Sequence, residues 1–412
     1  MQTNLAEFIR NTPEGREADA ILRKCTHCGM CTATCPTYQL LNDELDGPRG
    51  RIYLIKQVLE GATPTAKTRL HLDRCLTCRA CETTCPTGVR YGRLVDIGRH
   101  LVEERAARGP VESAWRSALS TVISSASLFG PMLQMGQLVR PLLPSALKRK
   151  VPSTSAPAGP WPVATHARKM LVLEGCAQPS LSPATNAAAA RVLDRIGISL
   201  VRTPGAGCCG AVSFHLNLHA KALDTMRRTI DAWWPRIEQG TEAIVITASG
   251  CGVTVKDYGH YLAHDHAYAA KAKRVSSLAK DISEIIVAEK SKLTSLNPRS
   301  SLLNSQRVAF HSPCTLQHGM KLEGGVESLL TDLGYSLTPV PDAHLCCGSA
   351  GTYSILQPEL SQKLLANKIA ALTSGTPSAI LTANIGCQVH IQTATSLPVK
   401  HWIEALDDSF AQ

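Results

Sequence analysis

The stretch CTHCGMCTATCPT, from Cys25 to Thr37, places four cysteines within eleven residues and follows the last one with a proline. The same thirteen-residue pattern returns as CLTCRACETTCPT, from Cys75 to Thr87. Both stretches have the spacing C-x2-C-x2-C-x3-C-P. Thiols at such close and repeated spacing are typical of metal ligation. The repetition therefore predicts a pair of metal centres in the first part of the chain.

The composition also favours metal ligation over a disulfide framework. The chain has 412 residues and 16 cysteines, and residues 1–25 contain no apolar stretch of signal-peptide length, so we do not expect export. The formal net charge is +10, because 43 Lys and Arg residues stand against 33 Asp and Glu residues. Two clusters on thiolates would lower this charge to roughly +6 and four clusters to roughly +2. We therefore expect no nucleic-acid partner.

The spacing of both stretches is that of the bacterial ferredoxin run, in which three cysteines hold one cluster and the fourth binds the other. Crossed ligation of this kind predicts a first [4Fe-4S] cluster on Cys25, Cys28, Cys31 and Cys85. It predicts a second [4Fe-4S] cluster on Cys35, Cys75, Cys78 and Cys81. Zinc is the alternative metal, but zinc sites favour pairs of C-x2-C, whereas each run here offers three closely spaced cysteines.

The segment between the two runs predicts an amphipathic helix that starts near Pro48 and covers the clusters. Its apolar residues recur at helical spacing, namely Ile52, Ile55, Val58 and Leu59. We expect Arg49 and Arg51 to lie on a solvated face, as most surface charges do. The alternative is that they pair with the charge of a cluster or with carboxylates of a partner.

A second internal repeat fills the C-terminal half of the chain. KMLVLEGC (Lys169–Cys176) matches RVAFHSPC (Arg307–Cys314), and AIVITASGC (Ala243–Cys251) matches AILTANIGC (Ala379–Cys387). In both copies a Cys-Cys-Gly triplet follows the first cysteine at the same distance. The cysteines of the first copy are Cys176, Cys208, Cys209 and Cys251. Those of the second copy are Cys314, Cys346, Cys347 and Cys387.

Each copy predicts alternating strands and helices. The first copy has apolar strands at Met170–Glu174, Ile198–Arg202 and Ala243–Thr247, and a helix that starts at Ser182-Pro183 and ends at Gly197. This order implies parallel strands, whose carboxyl ends carry the cysteines of each copy and bring them together. The expected fold is multidomain and mixed α+β and α/β: an α-helical ferredoxin-like domain with two [4Fe-4S] clusters, followed by two repeated α/β Cys-rich domains.

The metal content of the two Cys-Cys-Gly sites stays open from the sequence. Neighbouring side chains diverge in an extended chain, so two adjacent ligands need an unusual backbone, which Gly210 and Gly348 allow. An iron–sulfur cluster is the favoured content. Zinc, a vicinal disulfide and simple burial of the thiols are the alternatives.

We divide the chain into five parts. Ser117–Val139 is uncharged but rich in serine, so it predicts a pair of helices buried against the chain or a partner rather than a membrane span. The basic stretch Leu147–Lys150 is either a contact for anionic lipid or a solvated flank of a linker. The parts are a ferredoxin-type domain at 1–108, a helical segment and Pro/Ser-rich linker at 109–168, a first Cys-rich domain at 169–265, a connector at 266–306 and a second Cys-rich domain at 307–412.

Two ferredoxin runs followed by two Cys-Cys-Gly domains resemble the iron–sulfur subunits of glycolate oxidase, anaerobic glycerol-3-phosphate dehydrogenase and lactate-utilisation complexes. The Cys-Cys-Gly domains are also similar to those of heterodisulfide reductase. The stretches that look specifically like the bacterial glycolate oxidase iron–sulfur subunit are LNDELDGPRGRIYLIKQVLEG (41–61), LEGCAQPSLSPATNAAAARVLDRIGI (173–198) and HLCCGSAGTY (344–353).

The resemblance implies a role as an electron-transfer subunit. A partner subunit that contains flavin (FAD) would oxidise glycolate to glyoxylate, with D-lactate as a further substrate. This chain would carry the electrons to a respiratory acceptor such as quinone, at the cytoplasmic face of the bacterial inner membrane. No G-x-G-x-x-G flavin fingerprint follows a strand, so we expect no catalytic residue on this chain.

One feature departs from the heterodisulfide reductase pattern, in which each domain ends in C-x2-C. The corresponding positions here are Thr254 and His390, so four thiols remain in each copy. His390 is a substitute ligand, or a surface or hydrogen-bonded histidine. Three other functions stay open: the iron–sulfur subunit of a related complex, direct reduction of a disulfide or quinone at the Cys-Cys-Gly sites, and a zinc-stabilised scaffold that docks partners.

Overall fold

The structure is a computed structural model that describes residues 1–144, 148, 151–152, 157–296 and 307–410. Most of the basic stretch Leu147–Lys150 and residues 153–156 of the predicted linker lie outside this description. The chain separates into two compact units. Unit 1 consists of Met1–Arg116 and His344–Lys368. Unit 2 consists of Ser117–Ala343 and Ile369–Gln412.

Unit 1 is helical where the structure describes it, as the sequence predicted. The helix between the cysteine runs begins at Pro48, whose fixed φ suits the first helical position, and ends at Leu59. All four of its predicted apolar residues are buried. The α-helices of unit 1 are Glu7–Arg10, Pro13–Lys24, Pro36–Leu41, Pro48–Leu59, Ala66–Asp73, Ala80–Thr83, Tyr91–Arg105 and Tyr353–Leu356. Two further helices, Pro110–Ile123 and Pro358–Thr373, have residues in both units.

In the residues that the structure describes, unit 2 contains two four-stranded parallel sheets, one from each repeat. The strands of the first are β1 (Arg168–Val172), β2 (Ile198–Val201), β3 (Ile244–Ile246) and β4 (Ala279–Asp281). Those of the second are β5 (Arg307–His311), β6 (Ser336–Leu337), β7 (Ala379–Thr382) and β8 (Val399–His401). The first sheet has the order β2-β1-β3-β4 and the second the order β6-β5-β7-β8. The mixed fold class predicted from the sequence is confirmed.

The last strand of each sheet was absent from the sequence prediction. β4 and the helix Ile282–Ala288 lie within 266–306, the segment that the sequence predicts to be a connector. The strand is only three residues long, and its central Lys280 is exposed, so the segment carries little strand signal. Its pairing with β3 therefore depends on the tertiary structure. The five-part division of the chain remains a prediction.

The helices of unit 2 cover the sheets and bury their apolar faces. The helix Pro183–Arg195 begins where the sequence predicted, but the Ser182 hydroxyl bonds the Glu404 carboxylate at 3.0 Å instead of capping the helix. One core contains residues from both repeats, including Val172, Val308 and Trp402. The other α-helices are Ala126–Val139, Gln178–Leu181, Ala211–His215, His219–Glu238, Ser249–Lys256, Tyr258–Tyr261, Ala269–Leu278, Ile282–Ala288, Lys290–Ser295, Gly325–Asp332, Ile385–Gln392 and Trp402–Phe410.

The uncharged stretch Ser117–Val139 forms parts of two helices, Pro110–Ile123 and Ala126–Val139, as predicted. Among the residues described, no helix combines the length and apolarity needed to span a bilayer. The sequence predicted that both helices are buried against the chain or a partner. Burial against the chain is wrong for Ala126–Val139, because none of its residues is buried, and burial against a partner remains a prediction. The outward side of this helix is apolar. An amphipathic pattern alone would predict that the apolar side faces the protein.

Candidate metal centres

Two cavities in unit 1 bring the eight ferredoxin-type cysteines together in the predicted groups. The first, of about 420 Å³, is lined by Cys25, Cys28, Cys31 and Cys85. The second, of about 300 Å³, is lined by Cys35, Cys75, Cys78 and Cys81. Cys81 also lines the first cavity, so the two cavities are neighbours. In each group, three thiols come from one cysteine run and the fourth comes from the other.

The two cysteine runs share an unusual backbone, and the first three thiols of each run line its own cavity. In the first run, His27 and Gly29 adopt left-handed conformations, with φ of 60° and 85°. The equivalent residues of the second run, Thr77 and Arg79, have φ of 53° and 61°. Only glycine adopts this region without cost, so Arg79 holds a strained position that Gly29 occupies freely. The repeated spacing therefore encodes a repeated loop geometry.

Hydroxyl groups contact the sulfur of the last cysteine in both runs. The Cys35 sulfur lies 3.3 Å from the Thr37 hydroxyl, and the Cys85 sulfur lies 3.4 Å from the Thr87 hydroxyl. These threonines complete the Cys-Pro-Thr triplet that ends each run. The phenol of the buried Tyr91 donates to the Cys75 sulfur at 3.6 Å. Such contacts orient ligands and stabilise negative charge on sulfur.

Arg51 is a buried cation beside the second cavity, so the predicted solvated face is wrong for this residue. Its Nε donates to the His71 carbonyl at 2.7 Å and its Nη1 to the Thr37 hydroxyl at 3.1 Å. Its Nη2 donates to a carboxylate oxygen of the buried Asp46 at 3.3 Å. Arg49 on the same helix is partly exposed and forms an ion pair with Glu44 at 2.7 Å.

The thiols of the cavities are crowded, and their pKa values reflect this. Burial, and then the neighbouring Cys25, raise the pKa of Cys31 to about 11. Burial and the nearby Cys78 raise the pKa of Cys81. Burial also opposes ionisation of Cys85, but hydrogen bonds led by that of the Thr87 hydroxyl lower its pKa overall. Converging thiols that repel one another as anions fit a cationic iron–sulfur centre, which would stabilise all of them as thiolates.

The four cysteines of the first repeat lie together in unit 2. Hydrogen bonds from Cys176 and Cys209 lower the pKa of Cys208 to about 3. The bond with Cys208 raises the pKa of Cys176, and the bonds with Cys208 and Cys251 raise that of Cys209. Hydrogen bonding within this group of thiols therefore favours the thiolate of Cys208 over those of Cys176 and Cys209. This donor set fits a metal centre bound by four thiolates.

Buried hydroxyls fix the backbone of the Cys-Cys pair in the first repeat. Thr229 donates to the Cys208 carbonyl and Tyr258 to the Cys209 carbonyl, each at 2.9 Å. The following Gly210 has φ of +83°, and its amide donates to the Cys208 sulfur at 3.4 Å. This left-handed residue supplies the backbone freedom that two adjacent ligands require.

The second repeat shows the same local geometry, but its cysteines are distributed over both units. Cys346 and Cys347 belong to unit 1, whereas Cys314 and Cys387 belong to unit 2. The Gly348 amide donates to the Cys346 sulfur at 3.4 Å, and Gly348 has φ of +88°. The convergence of these four thiols remains a prediction, as does the role of His390, which is buried. All sixteen cysteines are free thiols in the structure.

The comparisons with known proteins agree with this arrangement. Residues 21–89 match the family described as a 4Fe-4S dicluster domain, and residues 170–256 and 308–392 each match the family described as a cysteine-rich domain. The glycolate oxidase iron–sulfur subunit of Escherichia coli (strain K12) is 54% identical over 409 residues, which cover 99% of each chain. This chain belongs to the family of glycolate oxidase iron–sulfur subunits. The family resemblance predicted from the sequence is therefore confirmed.

More distant relatives share parts of the same pattern. A probable glycolate oxidase iron–sulfur subunit of Bacillus subtilis (strain 168) is 28% identical and covers 93% of this chain and 91% of its own length. Lactate utilization protein A of the same organism is 22% identical over 205 residues, which cover 50% of this chain and 82% of its own. The glycolate oxidase iron–sulfur subunits thus match along the whole chain and the lactate-utilization protein along half.

Sequence reasoning missed the residues that support the sulfur atoms. The threonines of the two Cys-Pro-Thr triplets could have been found, because the repeat extends to them. Arg51 was named from the sequence, with the charge of a cluster as an alternative partner, but its burial was not predicted. Tyr91 and Tyr258 gave no signal, because their contacts join distant segments of the chain.

Proposed function

We propose that this chain is the electron-transfer subunit of a complex that oxidises glycolate to glyoxylate. The observation that carries the proposal is the grouping of eight cysteines around two neighbouring cavities, in a chain that is 54% identical to a glycolate oxidase iron–sulfur subunit over its full length. The substrate is oxidised on a partner subunit that binds FAD. This chain accepts the electrons and passes them toward a respiratory acceptor such as quinone.

In this proposal each cavity holds one [4Fe-4S] cluster with crossed ligation. Such a cluster supplies one-electron transfer at a potential set by its surroundings. The thiolates of Cys25, Cys28, Cys31 and Cys85 bind the first. Those of Cys35, Cys75, Cys78 and Cys81 bind the second. The proximity of the cavities, which share the lining residue Cys81, supports transfer between the clusters.

The protein around the second cavity is suited to stabilise negative charge. The guanidinium of Arg51 and the phenol of Tyr91 both line it, and both are almost fully buried. Buried charges interact more strongly than exposed ones, because the surrounding dielectric is low. The Tyr91 phenol donates directly to the Cys75 sulfur, and the Thr37 hydroxyl contacts the Cys35 sulfur. We propose that these groups favour the reduced state of this cluster.

We propose further iron–sulfur centres in the Cys-Cys-Gly sites. In the first repeat, the four hydrogen-bonded thiols, with the lowered pKa of Cys208, support a metal of high thiolate affinity. Zinc on the same four thiols is the alternative content. In the second repeat, the left-handed Gly348 and the amide bond to Cys346 repeat the local geometry of the first. The ligands there are Cys314, Cys346, Cys347 and Cys387.

The association with the inner membrane and the use of D-lactate are further parts of the proposal. A lactate utilization protein A shares 22% identity with half of this chain, which supports electron transfer from related 2-hydroxy acids. The membrane location follows from the need to reach a quinone, which resides in the bilayer. The flavin-containing subunits are the expected protein partners.

The test is to purify the chain anaerobically with its neighbouring subunits and to measure iron, sulfide, zinc and flavin together. About eight irons per chain would indicate that only the ferredoxin-type sites are loaded, and about twelve to sixteen that the repeats also hold clusters. One zinc per repeat would identify a scaffold in the C-terminal half. Full glycolate turnover by a complex whose chain lacks iron would overturn the proposed function.

A further inference from the structure

One surface of unit 2 exposes large apolar side chains that electron transfer does not explain. The helix Ala126–Val139 and the turn that follows it expose six large apolar side chains, which are between 45% and 87% accessible. They recur at helical spacing, so they share one side of the helix. We call them the apolar face: Leu128, Met132, Met135, Leu138, Val139 and Leu142. Contiguous apolar surface of this kind marks an interaction site.

The opposite side of the same helix packs on the protein. An added Cβ at Gly130 would lie 3.2 Å from the Ser180 hydroxyl, so the helix approaches Gln178–Leu181 closely there. Residues 129, 130, 133, 136 and 137 are all partly covered. The helix is therefore firmly seated by its less apolar side. Its outward orientation is fixed by this packing.

The stretch of sequence around the helix Ala126–Val139 carries charges of a single sign, although two of its cations, Arg116 and Arg168, form ion pairs with carboxylates from other segments. From Ser113 to Leu173 the sequence contains no Asp or Glu, but seven Lys and Arg residues. At the end of the helix, the Nε of Arg140 donates to the carbonyls of Lys148, at 3.2 Å, and of Val151, at 2.8 Å. These bonds bring the backbone carbonyls of Lys148 and Val151 to the helix end. They place the exposed Lys148 next to the last residues of the apolar face.

We infer that the apolar face is a docking surface for the headgroup layer of an anionic lipid bilayer. The helix Ala126–Val139 has 14 residues, fewer than the roughly 20 that a span requires, so it would lie along the surface. The six apolar side chains would enter the boundary between headgroups and acyl chains. The cations at the helix end would contact lipid phosphates, as in other interfacial helices with a basic flank.

The charges favour a bilayer over a protein partner. A protein interface normally has a polar rim with donors and acceptors of both kinds. The apolar face offers no hydrogen-bonding side chain, and the described charged residues that follow the helix in sequence, Arg140 and Lys148, are cations. A second copy of the same surface would bring like charges together, which opposes self-association. An anionic bilayer offers acyl chains that can contact the apolar face and negatively charged headgroups that can contact the cations.

The inference deepens the proposed function by naming the surface that reaches the membrane. The experiment is flotation of the purified complex with vesicles of phosphatidylglycerol and phosphatidylcholine, and with vesicles of phosphatidylcholine alone. Wild type should float with the anionic vesicles and much less with the neutral ones. Leu138→Glu and Leu138→Lys form a matched pair, since both remove the apolar contact but differ by two charge units. Binding of the Lys variant to anionic vesicles should exceed that of the Glu variant by about 25-fold, at about fivefold per charge.

Val287→Glu is the control, because Val287 is an exposed apolar residue on another helix of unit 2. It should float like wild type. Equal flotation of wild type and Leu138→Glu, or no flotation of wild type, would overturn the inference. So would loss of the flavin subunit from both Leu138 variants, which would identify a protein docking surface. Iron content and glycolate-dependent reduction of a soluble dye report on the proposed function separately, because neither requires vesicles.

Discussion

The hydroxyl of Tyr353 donates a hydrogen bond to the carbonyl of Arg74 at 3.1 Å, although 279 residues separate them in sequence. Both residues belong to unit 1, and Tyr353 is buried. Burial is the main cause that raises the pKa of the Tyr353 phenol, and negative charge on Cys75 and Cys346 raises it further. This hydrogen bond therefore links two segments of unit 1. One carries the Cys346-Cys347 pair, and the other is the loop in which the second cysteine run begins at Cys75.

We predict that Tyr353→Phe alters the environment of the second cluster. The variant loses one buried hydrogen bond, which should lower the free energy of unfolding by about 1 kcal/mol. Because Arg74 directly precedes Cys75, we also expect a changed EPR spectrum or midpoint potential of the second cluster. Tyr335→Phe is the matched control, since the buried Tyr335 donates to the Ala405 carbonyl at 2.7 Å in unit 2. Identical cluster spectra in the two variants would show that Tyr353 has only a structural role.

Crossed ligation predicts which cluster each cysteine variant removes. Cys35→Ser should lose the cluster seated mainly on the second cysteine run, and Cys85→Ser the cluster seated on the first. Each variant should lose about four irons per chain. EPR of the reduced protein, together with iron analysis, distinguishes the two centres. If Cys35→Ser instead loses the cluster of Cys25, Cys28 and Cys31, the assigned ligand sets are wrong.

Gly29→Ala should weaken the first cluster selectively. Gly29 has φ of +85°, and an added Cβ would lie 2.6 Å from Nη1 of Arg49. The left-handed conformation alone should cost about 1–2 kcal/mol. Iron occupancy and the EPR signal of the first cluster should fall, while those of the second persist. Gly197→Ala is the control, because Gly197 has φ of +78° with no atom within 4 Å of the added Cβ and lies in unit 2. A loss of the same size in both variants would argue against the local clash.

Asp281 predicts a pH dependence of the stability of unit 2. Burial raises its pKa from 3.8 to about 6, although Ser283 donates to its carboxylate through both its amide and its hydroxyl. Glu284 opposes and Lys256 favours its ionisation. The folded carboxyl keeps its proton where the unfolded one has lost it, so this stabilisation is complete below pH 3.8 and is lost as the pH rises through 6. The shift corresponds to about 3 kcal/mol.

Asp281→Asn tests this prediction, because asparagine keeps the oxygen that accepts from Ser283 but does not titrate. Between pH 5 and 7 the Tm of wild type should fall relative to that of the variant. Wild type has to be compared with the variant because His401 changes the stability with pH in the opposite direction to Asp281. Burial lowers the pKa of His401 to about 3, so its contribution is lost as the pH falls below 6.5. Parallel Tm curves for wild type and variant would contradict the raised pKa of Asp281.

The helical ferredoxin-like part was largely predictable because its signals are local. The cysteine spacing fixes loops of a few residues, and Pro48 with its following apolar residues fixes one helix. The parallel strands of the repeats were also predictable, because strand–helix–strand order permits few topologies. The short strand β4 was not, since three residues with an exposed centre carry almost no pattern.

The sequence by itself determined which cysteines form the two ferredoxin-type groups and that the C-terminal half is a repeated α/β fold. Only the tertiary structure decided that Arg51 is buried beside Cys35 and Cys75, that Tyr353 reaches Arg74, and that the helix Ala126–Val139 turns its apolar side outward. The physical reason is the range of the interactions. Spacing along the chain sets loop and helix geometry, whereas burial and pairing depend on segments that meet only after folding.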